Sequence, residues 1–114
     1  MHVLLIKPDI PKNYPLGYQE PQIHLGLASI AGVLEQNGMK VSIIDNYLDR
    51  KNTNELIIEI QKLKPDIIGI TCDIASIKSV ADIVGEIRKS LDIPVIVGGP
   101  EVSVHPKELS LIHI

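Results

Sequence analysis

Phenylalanine and tryptophan are absent from the chain, and tyrosine occurs three times in 114 residues. A core without large aromatics has to be built from Ile, Leu and Val, and continuous runs of those residues suit parallel strands covered on both faces. Cysteine is nearly absent too. Cys72 stands alone, which excludes an internal disulfide and fits a reducing, cytoplasmic setting. Clustered positive charge is also missing. Eleven Lys and Arg against fourteen Asp and Glu leave a formal net charge of −3, and the cations are spread along the chain, so no nucleic-acid footprint is expected. No apolar run approaches the length of a membrane span, and the first residues do not follow the basic-then-apolar pattern of a signal peptide.

What is present is ordinary for a soluble globular protein: 45% hydrophobic and 22% charged residues. The length predicts one α/β domain, residues 1–114, near the lower end of what buries a self-sufficient core. Four stretches read as strands: "HVLLI" (2–6), "KVSIID" (40–45), "DIIGITC" (66–72) and "PVIVGG" (94–99). The first, third and fourth are nearly unbroken aliphatic runs, the pattern of strands buried on both faces.

Helical spacing lies between them. Residues 24–37 carry Leu27, Ile30, Ala31 and Leu34 at i, i+3, i+4, i+7, and Gly38 is a natural stop. Residues 53–63 repeat the spacing with Leu56, Ile57, Ile60 and Leu63, with Thr53 as the expected N-cap and Pro65 barring continuation. Residues 76–91 place Ile77, Val80, Ala81, Val84 and Leu91 on one side with Ser76 as the expected N-cap. A fourth helix is expected from Pro106, where "PKEL" puts proline in the first turn.

The resulting β-α-β-α-β-α-β order predicts a doubly wound parallel sheet with right-handed crossovers. The expected strand order is 2-1-3-4, flavodoxin-like, with the fifth strand missing or reduced to "LIHI". That shortfall reads as a domain truncated at its C-terminus, whose exposed fourth strand invites a homodimer through the sheet edge.

In open parallel sheets the ligand crevice lies beyond the carboxyl ends of the strands, where strand order reverses. The loop "KPDIPKNYPLGYQEPQIHLG" (7–26) is far longer than the roughly 2–6 residues usual between strand and helix, and it borders that crevice. Its prolines and tyrosines suit a shaped, functional loop better than a flexible tether. "CDIAS" (72–76) sets Asp73 and Ser76 at a helix start, where a polar or anionic group is favoured; capping by Ser76 is the plainer role. "GGPEVS" (98–103) permits close backbone approach at Gly98 and Gly99, and also reads as a simple strand-to-helix turn. Neither G-x-G-x-x-G nor a P-loop lysine motif occurs.

Among the histidines, His2 opens the first strand at the far edge and reads as structural. His24 opens the first helix beside the crevice, His105 follows the Gly-Gly-Pro turn, and His113 lies in the tail. No His, Cys or carboxylate set has metal-ligand spacing. Cys72 has no base partner in sequence and reads as a small hydrophobe. A receiver-domain reading fails because "KPDIP" offers only Asp9 where an acidic pair is needed.

In sequence order, "VLLIKPDIP", "IHLGLASIAGVLEQNGMKVSIIDNY", "LKPDIIGITCDIAS" and "IPVIVGGPEVSVHP" resemble the N-terminal cobalamin-binding domain of radical S-adenosylmethionine enzymes, over roughly residues 2–108. The resemblance implies a flavodoxin-like domain that holds cobalamin, its nucleotide tail inserted among the loops at the carboxyl edge. It further implies methyl transfer with a radical S-adenosylmethionine domain, present in cis or in trans. Carried over position by position, the implied cofactor contacts are Pro8, His24 and Gly26, then Thr71, Asp73 and Ser76. Gly98, Gly99, Pro100, Glu101 and Ser103 complete the set.

Two departures refine this. Classical cobalamin carriers present Asp-x-His-x-x-Gly, whereas "QIHLGL" has Gln22 in place of the Asp and its glycine at Gly26, not at position 27. The expected form is therefore base-off, with no protein ligand to cobalt. A radical cluster needs Cys-x3-Cys-x2-Cys, so one cysteine leaves no iron–sulfur cluster on this chain and no radical catalysis from it alone. Two other readings stand beside the cobalamin module. One is a cofactor-free flavodoxin-like interaction or regulatory domain; the other is a small enzyme with Asp73 or His24 as general base.

Overall fold

The computed structural model describes residues 1–9, 25–72 and 76–98. In chain order the elements are β1 (His2–Lys7), α1 (Leu25–Gln36), β2 (Lys40–Asp45), α2 (Asn46–Asp49), α3 (Thr53–Leu63), β3 (Ile67–Thr71), α4 (Ile77–Ser90) and β4 (Val95–Gly98). The four strands form one parallel sheet, as the alternating sequence pattern predicts, in the order β2-β1-β3-β4 expected of a small doubly wound fold. Val3 of β1 stands opposite both Val41 of β2 and Ile67 of β3, and Ile68 stands opposite Val95 of β4. The expected helix from Pro106 and the "LIHI" segment lie outside the described residues.

Period-2 alternation divides the core between the two faces of the sheet. Leu4, Ile6, Ile44, Ile68, Ile70, Cys72 and Val97 pack against Leu56, Ile57 and Ile60 of α3 and Val80, Ile83, Val84 and Ile87 of α4. The opposite face holds a smaller cluster, Val3 and Leu5 against Leu27 and Ala31 of α1. Leu4, Ile6, Ile60, Ile68 and Ile87 are fully buried; each contributes roughly 1.5–3 kcal/mol by leaving water. Cys72 is buried among them, in the hydrophobic role its sequence context suggests.

The helix ends show which sequence signals matter. The α1 helix closes with Gly38 at φ +80°, its N–H donating to Glu35 O at 3.0 Å while Met39 N–H donates to Leu34 O at 3.1 Å. That is a Schellman closure, and it requires a residue that adopts positive φ without strain. At α3 the expected cap is corrected by one residue. Asn52, not Thr53, is the N-cap: its side chain accepts from Glu55 N–H at 2.8 Å, and the Glu55 carboxylate accepts from Asn52 N–H at 3.2 Å. This reciprocal capping box satisfies two amide donors at once, which a threonine at 53 cannot do. Ser76 precedes α4 as expected, but its side chain makes no capping hydrogen bond, since its backbone (φ −109°, ψ 5°) lies outside the extended region that aims a cap.

Three further expectations are revised. Ile30, expected on the buried stripe of α1, is 51% exposed, because the helix seats Leu27, Ala31 and Leu34 on the sheet and carries Ile30 on its flank. Ala81 is only half-buried, whereas Ile83 and Ile87 are buried on α4. β4 is not covered on both faces by the described residues: Val97 is buried, and Ile96 is 58% exposed.

His2 has the structural role expected of it. Its backbone N–H donates to Asp66 Oδ2 at 2.7 Å, its carbonyl accepts from Asp66 N–H at 2.8 Å, and its Nε2 lies 2.7 Å from Ser42 Oγ. These bonds tie β1, β2 and the entry to β3 together at the amino edge, opposite the site.

Candidate functional site

At the carboxyl edge the strands end at Lys7, Asp45, Thr71 and Gly98, and the helices α1, α3 and α4 begin. Strand order reverses at β1, which has β2 on one side and β3 on the other. That reversal separates the connections to the two faces and leaves a crevice, the usual ligand position in open parallel sheets.

A groove runs along one face of the sheet, from Met1 and Met39 at the amino edge to this carboxyl edge. α1 covers β1 and β2, while over β3 and β4 the same face carries no helix among the described residues. The resulting cavity of about 600 Å³ is walled by Gly26, Leu27, Ile30 and Leu34 of α1. Its floor is Val3 and Leu5 of β1, Ile67, Gly69 and Thr71 of β3, and Ile96 and Gly98 of β4. Apolar side chains and glycine backbone dominate the lining, with Thr71 at the head. A smaller cavity of about 350 Å³, lined by Val84, Arg88 and Leu91 to Val95, lies on the other face by the amino edge and is not part of this site.

Two glycines shape the groove differently. A Cβ built on Gly69 would meet Leu5 Cδ2 at 2.9 Å, so any larger residue there makes the Leu5 side chain give way. A Cβ on Gly98 would meet nothing within 4 Å, so the β4 backbone is open to an incoming group there. Away from the groove, the turn after β2 is fixed by its own hydrogen bonds. Buried Asn46 donates through Nδ2 to Lys51 O at 2.9 Å and accepts from Lys51 N–H at 3.0 Å, and Lys51 Nζ pairs with the Glu59 carboxylate.

Of the candidates named from sequence, Gly26, Thr71 and Gly98 come together around the head of the groove. Pro8 is buried just past the end of β1 and Ser76 is buried at the start of α4; neither lines the groove. His24, Asp73, Gly99, Pro100, Glu101 and Ser103 lie outside the described residues. Sequence reading missed Gly69, Ile30 and Ile96. A glycine inside an otherwise β-branched strand is a known mark of close approach, so Gly69 was detectable; the exposure of Ile30 and Ile96 depends on tertiary cover and was not.

Among the described residues no group of three or more His, Cys, Asp or Glu could hold a metal ion, and no helix is long and apolar enough to cross a membrane. The family model described as "B12 binding domain" matches residues 18–114. The chain belongs to the B12-binding domain family. Two solved structures share the domain's fold: the cobalamin-dependent S-adenosylmethionine radical enzyme OxsB with aqua-cobalamin bound, and the same enzyme with aqua-cobalamin and S-adenosylmethionine bound. Each superposes with a TM-score of 0.81 at 23% sequence identity, covering 95% of this chain and 15% of OxsB. The chain thus spans about a seventh of that enzyme's length. No curated protein matches the chain.

Proposed function

We propose that this B12-binding domain binds cobalamin, with the nucleotide tail in the groove between α1 and the sheet and the corrin over the carboxyl edge. The observation that carries the reading is the groove itself, apolar along its floor and reaching the carboxyl edge at Gly26, Thr71 and Gly98. A flat heteroaromatic base suits a slot floored by Leu5, Gly69 and Ile96, because glycine backbone admits a ring face-on and the aliphatic neighbours remove it from water. The open backbone at Gly98 leaves room for the bulkier part of the ligand at the mouth.

The chemistry that the group supplies when bound is methyl transfer. This chain's own part in it is to hold and orient the cofactor and to exclude water from its tail; the reaction belongs to a radical S-adenosylmethionine domain in cis or in trans. Pro8, His24, Gly26, Thr71, Asp73, Ser76, Gly98, Gly99, Pro100, Glu101 and Ser103 are the proposed contacts. Gln22 in place of an acidic residue and the position of Gly26 favour base-off binding without histidine ligation. The single thiol fits a cytoplasmic location.

Titration with hydroxocobalamin, followed by desalting and an absorption spectrum, tests this reading. A retained base-off spectrum is the expected result. A histidine-ligated spectrum would replace the base-off form with His24 as cobalt ligand.

A second reading is favoured by the exposed aliphatics Ile30, Val33 and Ile96, at 51%, 57% and 58%. In it the same face receives a protein partner or, through the β4 edge, a second copy, and no cofactor is held. Protein that stays colourless after desalting but self-associates would support it.

A further inference from the structure

We infer that Lys7 is an anion-binding residue of this site, holding the phosphodiester of the ligand's nucleotide tail at the head of the groove. The inference rests on the cobalamin reading above and adds a contact to it. Lys7 is not among the contacts that the family resemblance implies, and it lies ahead of residues 18–114, the stretch that the family model matches.

The placement follows from strand geometry. Side chains alternate along β1, and Val3 and Leu5 face α1 and form the groove floor. Lys7 is next on that face, at the last position of the strand and one step past the Ile6–Ile70 pair, level with Thr71. Strands lie roughly 4.8 Å apart, so a lysine stem lies within reach of the groove's head between Gly26, Thr71 and Gly98. Lys7 is half-buried.

No other described cation competes for this place. Arg50 and Lys51 belong to the turn after β2, where Lys51 pairs with Glu59, and Lys78 opens α4 on the opposite face. Lys40, Lys62, Lys64, Arg88 and Lys89 lie toward the amino edge, at the start of β2 or the ends of α3 and α4. Asp45 faces Lys7 across the β1–β2 register, and Asp9 follows two residues on. In a chain of net charge −3, a phosphodiester at this edge needs a local cation to offset those carboxylates. The groove's described lining carries no charged side chain, so a cation for the anion has to come from the rim, where Lys7 stands.

The test compares cobalamin with cobinamide, a corrinoid without the nucleotide and its phosphodiester, on the full chain and on the Lys7→Gln, Lys7→Arg and Asp45→Asn variants. Lys7→Gln is expected to weaken cobalamin binding by about tenfold and to leave cobinamide binding unchanged. Lys7→Arg should restore most of the affinity, and Asp45→Asn, which removes the opposing carboxylate, should keep or raise it. Added salt should weaken cobalamin binding by the wild type more than by Lys7→Gln. Equal losses for both corrinoids, or equal losses in Lys7→Gln and Asp45→Asn, would mean the pair acts structurally and would overturn the inference alone. The same holds for undiminished cobalamin binding by Lys7→Gln. Wild-type chain that binds neither corrinoid overturns the functional reading and this inference with it.

Discussion

Replacing Gly69 with alanine places one methyl group on the narrowest part of the groove floor. The new Cβ would lie 2.9 Å from Leu5 Cδ2, and ordinary contact begins at 3.4 Å, so Leu5 has to retreat by about half an ångström. Leu5 is 4% exposed and packed against α1, so the shift is transmitted to Leu27 and Ala31. Overpacking of this size costs about 1–3 kcal/mol, while removing a glycine from a strand interior returns about 0.5–1 kcal/mol of chain entropy. The net expected destabilisation is roughly 0–2 kcal/mol, read as a shift in the urea midpoint at unchanged slope. Ligand binding should suffer more than folding. A methyl group that takes the space of a tail ring weakens cobalamin by about tenfold or more, since 1.4 kcal/mol is tenfold, and should leave cobinamide unaffected. Gly69→Val, with two further methyls, should abolish cobalamin retention while the far-UV spectrum stays native. Unchanged cobalamin affinity in a folded Gly69→Val protein would refute the placement of the tail on this floor.

Other substitutions test the frame around the site. Ile68→Ala, at a fully buried position under β3, should cost about 2–5 kcal/mol in chemical denaturation. Asn52→Ala removes the reciprocal cap of α3 and should lower stability by about 1 kcal/mol, with Asn52→Asp largely restoring it. Gly38→Val sets a β-branched residue at φ +80° and should cost more than 1 kcal/mol, roughly, without touching the groove. Ile96→Asp, on the exposed side of β4, should change folding stability by less than about 0.5 kcal/mol and reduce any self-association seen by sedimentation.

The sheet was legible from the sequence because each strand announces itself. β1 and β3 are aliphatic runs closed by Lys-Pro and Thr-Cys-Asp, and Gly38 and Pro65 punctuate the chain where helices must end. The parallel sheet follows from the alternation of elements, a global constraint on the chain, and its order is the one common to small doubly wound sheets. At α3, Thr53 has only the residue type of a cap, whereas the reciprocal Asn52–Glu55 spacing carries the stronger signal. Ile30 was misplaced because helical spacing gives a stripe and not its centre, and the centre is set by where the sheet surface lies. The site was legible as an edge and only partly as a surface. Gly26, Thr71 and Gly98 flank strand and helix ends, and topology alone brings them together. The groove between them exists because one face of β3 and β4 has less cover than the other among the described residues, and no local pattern encodes that difference.

Whether the 114-residue chain holds a corrinoid is the most direct test of its function. Equilibrium dialysis of the purified protein against aqua-cobalamin, read by absorbance on both sides of the membrane, measures it. Saturation at one cobalamin per chain, with cobinamide bound more weakly, is the predicted result. Equal cobalamin concentrations on the two sides, with the protein folded by circular dichroism, would contradict the account.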